Sequence, residues 1–343
     1  MAYLINVIGG WGNLNQTIQN SPEAEVIVDL SNYNPMGAPY DIVVPNNVNL
    51  LTIKGNKLYV YKVTVSALTR STPVGLIMEN MVIEDNVSNK AIIDIARNLY
   101  NNRLILKDTV MVKNITSNVN VPAVRVADGT RLDVEIFSGT TAKLYSTAGS
   151  AIIGGLQGEK GGQIVILGTG NLILARKSTD TGAGIGGGAG AGGGFIHIAD
   201  RPNVTFIKSG TGTPQGKDIG NGAGGTGTFI ISIDSNLVQS INPTVLSEFS
   251  FRYGLPCPQI SIYTGPIYVV DNATSKIIGY GMNITSQGQI QFYSDVTGTY
   301  YFSSSPVVGT SITRTFDVPG YMAGDIFYFP CTTPVSRGMN LFA

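Results

Sequence analysis

The chain has 343 residues, of which 43% are apolar and only 13% charged, about half of the ~25% found in ordinary soluble domains. Twenty-two basic residues balance twenty-two acidic ones, so the electrostatic footprint needed for non-specific nucleic-acid binding or for an anionic membrane surface is missing. No run approaches the ~20 apolar residues of a membrane span, and the expected surface is neutral and polar, with no nucleic-acid partner and no membrane insertion.

The first ten residues lack a basic stretch and their apolar run is broken at Asn6, which argues against a secretory signal. Residues 11–20 fit one short helix with Leu14 and Ile18 on the same side at i, i+4 spacing, and residues 1–20 are expected to form an N-terminal cap. Alternation then begins with Val26, Val28 and Leu30. Short apolar strands follow, separated by Gly, Asn, Asp, Ser or Pro, among them runs 49–53, 57–65, 91–95 and 131–136. Helical periodicity is almost absent.

Internal repeats decide the architecture. A shift of 28 residues lays 76–86 over 104–114, apolar on apolar, with Asn86 on Asn114; a second shift of 28 lays 131–134 over 103–106. Further on the period is 32: 151–155 falls on 183–187, 162–166 on 194–198 and 171–174 on 203–206, with a third copy at 218–222 and 227–231. Each repeat holds three strands, which cannot enclose a core alone but can do so when stacked. The expected fold is all-β, a parallel β-helix solenoid over residues 21–243, with Ile153, Ile185 and Ile219 in one inward column. A β-propeller would need four strands per repeat and a longer period.

Most of the excess among the 43 glycines lies between Gly149 and Gly227. The segment 182–198, with its run of glycines ending in Phe195, Ile196, His197 and Ile198, is echoed at 151–166 and 218–231. It resembles the repeat of glycine-rich parallel β-helices, which occur in phage tail or fibre proteins and in bacterial surface carbohydrate-binding proteins. The resemblance covers Ala151 to Ile233 and implies an architecture far more than a partner.

After Pro243 the repeat stops and Phe and Tyr become frequent. Strand-length runs at 259–263, 289–293 and 299–302, punctuated by turns, read as a C-terminal antiparallel β-sandwich over residues 244–343. Adjacent aromatics cannot all face one side of a strand, so Tyr300, Tyr301, Phe327 and Tyr328 are candidate partner-contact residues. Cys257 and Cys331 are too few for a disulfide scaffold; they can pair near the C-terminus or stand free and buried.

Motifs that carry chemistry elsewhere lack their context here. Gly182, Gly184 and Gly187 satisfy G-x-G-x-x-G, but more glycines follow where a helix would have to begin, so no dinucleotide cofactor is expected. His197 is the only histidine; alternation between Ile196 and Ile198 turns it outward, and no metal site is expected. Acidic residues stand in adjacent coils, Glu79, Glu84, Asp85, Asp108, Asp133 and Glu135, without the paired arrangement of a glycosidase or the elements of pectinase-like enzymes.

Together with the missing secretory signal, the uncharged rod and the aromatic terminal module, the resemblance implies a non-catalytic virion structural or host-attachment protein that assembles with itself as a homo-oligomer such as a trimer, or with other virion proteins, and contacts a cell-surface polysaccharide. A bacterial surface adhesin and a tailspike-type depolymerase are the alternatives, and the place is the virion or, alternatively, the bacterial cell surface.

Overall fold

The structure, a computed structural model, describes residues 1–8, 10–33, 39–85, 90–114, 120–146, 148–199, 202–212, 215–232, 246–253, 266–282, 289–294, 298–303, 312–318 and 325–329. It shows a parallel β-solenoid with three walls. Wall one stacks Tyr3–Asn6, Glu25–Asp29, Leu50–Lys54, the first part of Gly75–Asp85, the first part of Asn102–Asn114, Arg131–Ile136, Gln163–Gly168, Gly194–Ile198 and Thr228–Ser232, all parallel. Wall two stacks Val60–Tyr61, the second parts of Gly75–Asp85 and Asn102–Asn114, then Thr141–Tyr145, Asn171–Lys177 and Asn203–Ser209. Wall three is a seven-stranded ladder from Tyr40–Val44 through Val63–Ala67, Ile93–Asp94, Val124–Arg125, Ile153–Gly154 and Ile185–Gly186 to Ile219–Gly220.

Alternation explains why these short segments fold this way: every second side chain points inward, where only neighbouring coils can cover it. In wall one Leu51, Leu76, Leu104, Val134, Ile166 and Ile198 follow one another in register and are fully buried. Wall three contributes Val65, Ile93, Val124, Ile153, Ile185 and Ile219, also in register and fully buried, as the inward column requires. Wall two adds Ile83, Val112, Leu144 and Leu174. A corner residue must satisfy backbone groups that the ladders cannot reach. Asn102, fully buried, accepts from the Val74 N–H at 3.3 Å and donates to the Arg131 carbonyl at 2.9 Å, joining three coils through one carboxamide.

The short helix appears as Leu14–Gln19 with Leu14 and Ile18 buried, and it closes the open edge of wall three. The Asn15 carboxamide donates to the Asp41 carbonyl at 2.7 Å and accepts from the Val43 N–H at 3.0 Å, taking the place of a neighbouring strand. The first twenty residues are more than a cap, since Tyr3–Asn6 already forms a rung of wall one against Glu25–Asp29. The run 57–65 divides at Lys62 into Val60–Tyr61 on wall two and Val63–Ala67 on wall three.

Two expected registers shift. Asp133, not Arg131, stands against Arg103, a displacement of two residues. A slip of two keeps every side chain on the same face, so matching apolar to apolar cannot detect it. Residues 76–79 do pair with 104–107, but the register changes between Glu79 and Met81, and Asn114 then faces Asp85, not Asn86. The cause is the bend from wall one into wall two, where Asn80 and Asp108 adopt left-handed backbone with φ of 52° and 59°, a conformation that Asn and Asp tolerate best among residues with a Cβ.

Beyond the last rung, Gln289–Ser294 pairs antiparallel with Thr228–Ser232 and with Leu246–Tyr253, whereas Leu246–Tyr253 and Asp325–Phe329 pair parallel, unlike the all-antiparallel arrangement expected there. A second, four-stranded antiparallel sheet holds Lys276–Met282, Pro266–Asp271, Gly298–Ser303 and Ile312–Val318. Lys276–Met282 lies against Gly194–Ile198 on the outside of wall one. There the Phe195 and Phe229 rings stack at 5.6 Å, and Tyr300 meets Phe229 edge-on at 5.7 Å. His197 does point away from the solenoid core, but it is fully buried under this cover and not exposed. Cys257 and Cys331 lie outside the described residues.

Candidate functional site

The outer face of wall two carries a concavity of ≈ 360 Å³. Its shape follows from one position in the repeat. Lys113, Tyr145, Ala175 and Ile207 are in register on four successive coils, so Tyr145 and Ile207 stand on either side of a residue that offers only a methyl group. The neighbouring column brings Met111, Lys143 and Ile173 together in the same way, and Ser209 lies at the far rim. On the other face of the same strands Leu144 and Leu174 are fully buried in the core.

The charges near this notch are uneven. Lys113 Nζ is 3.6 Å from Glu84 on the preceding coil, whereas Lys143 makes no ion pair among the described residues. Arg176 is spent on the fold: its guanidinium is buried, donates to the Gly182 and Gly216 carbonyls at 3.0 and 2.9 Å, and pairs with Asp218. Burial, reinforced by the charge of Asp180, raises the Tyr145 hydroxyl above its ordinary value. The Asp180 carboxyl is itself raised by burial, against the opposing effect of the Lys177 and Ala148 N–H groups that bond to it.

Among the acidic residues singled out in the sequence, those whose side chains are described are not gathered into one site. Glu79 and Glu135 belong to wall one, and Glu84 to wall two. Each has a cation on a neighbouring coil: Lys54 lies 3.7 Å from Glu79, Lys113 pairs with Glu84, and Arg103 with Glu135. Asp133 is held by Arg131 through two hydrogen bonds of 2.9 and 3.0 Å, with both side chains buried. Asp108 is a left-handed bend. Among the described residues no group of three or more His, Cys, Asp or Glu is placed to hold a metal ion.

Of the four aromatic residues expected at a partner surface, Tyr300 is 4% exposed and packs on Phe229, so its ring is used within the chain. Tyr301, Phe327 and Tyr328 lie in strands, and their side chains are outside the described residues. Sequence reasoning missed the wall-two notch. The signal was present as alternation in Thr141–Tyr145, which places Lys143 and Tyr145 on one face, and as the small residue at the Ala175 position of the next coil. Finding it required the true 30-residue spacing between Tyr145 and Ala175, which the 28- and 32-residue shifts both miss. No family model, curated protein or solved structure matches the chain.

Proposed function

We propose that the chain is a non-catalytic attachment rod: a virion structural or host-attachment component, of the tail, fibre or baseplate kind, that contacts a cell-surface polysaccharide. The observation that carries this reading is the wall-two notch, a side-chain surface on a rigid ladder, with an aromatic residue, an apolar floor and an uncompensated ammonium group. Two of the strands beneath it, Thr141–Tyr145 and Asn171–Lys177, have their backbone groups paired to coils on both sides, so recognition over them depends on side chains. A stack of coils repeats at about 4.8 Å and suits a partner that is itself a linear polymer. In this reading residues 244–343 form a β-sandwich that closes the rod, and self-association as a homo-oligomer or docking on other virion proteins supplies multivalency. A bacterial surface adhesin would use the same notch. The depolymerase alternative is weakened because Glu79, Glu84, Asp133 and Glu135 are each engaged by a neighbouring cation, whereas a glycosidase needs two carboxyl groups aimed at one bond.

Labelled full-length protein on a panel of immobilised bacterial polysaccharides tests the reading. Retention on some of them with no release of reducing ends or unsaturated sugars is the expected result. Retention on none, or product release abolished by a single carboxylate substitution, would overturn it.

A further inference from the structure

We propose that the notch at Ala175 seats one acidic sugar residue, its ring against Tyr145 and its carboxylate at Lys143; this rests on the polysaccharide-attachment reading and narrows it to a chemical class. The gap between Tyr145 and Ile207 spans two coil steps, about 9.5 Å between backbones, with the Ala175 methyl as its floor. That width admits one hexose-sized ring. The volume of ≈ 360 Å³ falls at the lower end of the usual range for small-ligand sites.

Three features select the ligand. A half-buried tyrosine beside an apolar floor offers a flat surface to the C–H face of a sugar and keeps its hydroxyl for a polar contact. Lys113 is partly neutralised by Glu84, but Lys143, in register between Met111 and Ile173, meets no carboxylate among the described residues. An ammonium group on a half-buried lysine between apolar neighbours is well completed by an anionic oxygen. The carboxylate of Asp180 does not compete for that role, because it is buried and accepts hydrogen bonds from the Lys177 and Ala148 N–H groups. Beneath the Tyr145 and Ala175 positions Thr141–Tyr145 and Asn171–Lys177 are paired on both sides and offer a peptide no edge, so contact there is made by side chains.

The test uses the full chain and calorimetric titration with oligomers of hexuronic and nonulosonic acids, each beside its carboxyl-reduced, neutral counterpart. The expected result is binding of at least one acidic oligomer, weaker or absent binding of its neutral form, and about tenfold weaker binding with Lys143→Met, which retains the aliphatic stem. Ala175→Phe, which fills the notch, should abolish binding; Lys143→Met guards against loss of fold in that variant, since the lysine sits on the surface and its circular dichroism and melting should match wild type. Failure of every acidic oligomer to bind, equal binding of a neutral form, or an unchanged affinity with Lys143→Met would each overturn the proposal. If both variants lose the oligomer yet the protein still holds to immobilised polysaccharide, the notch is a sugar site and the attachment surface lies elsewhere; if neither oligomer nor polysaccharide is held, both readings fall.

Discussion

Ile185 stands in register against Ile153 on the adjacent coil, and neither side chain has any exposed surface. The pair belongs to a column that ends with Ile219. Ile185→Ala removes a buried side chain without room to collapse and should cost about 2–5 kcal/mol. Ile185→Asp leaves a charge with no partner in the column and should cost several kcal/mol, on the order measured when buried ion pairs lose one member. Thermal unfolding of both variants checks the order, and an Asp variant that melts with wild type would remove the column.

Gly186 and Gly190 separate two reasons for glycine within one coil. At Gly186, with φ of +133°, an added Cβ would lie 2.0 Å from the Gly220 carbonyl oxygen of the next coil. Gly186→Ala must therefore move backbone as well as adopt a disfavoured conformation, each effect worth about 1–3 kcal/mol. At Gly190, with φ of +80°, nothing lies within 4 Å of the added atom, and alanine should cost only the left-handed penalty of about 1–2 kcal/mol. Chemical denaturation of the two variants should show the larger loss at Gly186; equal losses would mean that close coil approach is not what selects glycine there.

Acid sensitivity should depend on Glu159. Burial pushes its carboxyl up, but hydrogen bonds from Arg125 and the Leu156 N–H, together with the Arg125 charge, bring it net below its ordinary value of 4.5. A carboxyl lowered in the folded state adds stability that is complete above its unfolded value and is lost as pH falls through the lower folded value. Urea midpoints measured from neutral pH downward should thus fall below about pH 4.5, and Glu159→Gln should flatten that fall while lowering the neutral plateau. An identical acid slope in the variant would show that the Arg125 contact contributes nothing.

The solenoid, its three strands per coil and the buried Ile153, Ile185 and Ile219 column are legible in the sequence, because stacking demands the same side-chain class at the same offset in each coil. Registers were legible only to within two residues, as the Arg103 and Asp133 pairing shows, since alternation has period two. The notch was not legible for the same reason, because it exists only when Ala175 is set between Tyr145 and Ile207. His197 illustrates a different limit: alternation gave its direction, but exposure depends on Lys276–Met282, nearly eighty residues later in the chain.

Removing residues 244–343 should expose what the C-terminal strands cover. Thr228–Ser232 is paired on its far side by Gln289–Ser294, so truncation turns it into an open edge whose N–H and C=O groups are a template for another chain. It also uncovers Phe195 and Phe229, each 3% exposed in the whole protein, and the fully buried His197. The coils themselves bury their columns without help from this region. The truncated chain should therefore keep a β-sheet circular dichroism spectrum while binding a hydrophobic dye and self-associating in sedimentation. Simple survival of the solenoid as a well-behaved species would be expected only if wall one needed no cover. A truncated protein that sediments like the intact one, without dye binding, would show that the C-terminal strands do not lie on wall one; complete loss of the β-sheet spectrum would show that the coils depend on them to fold.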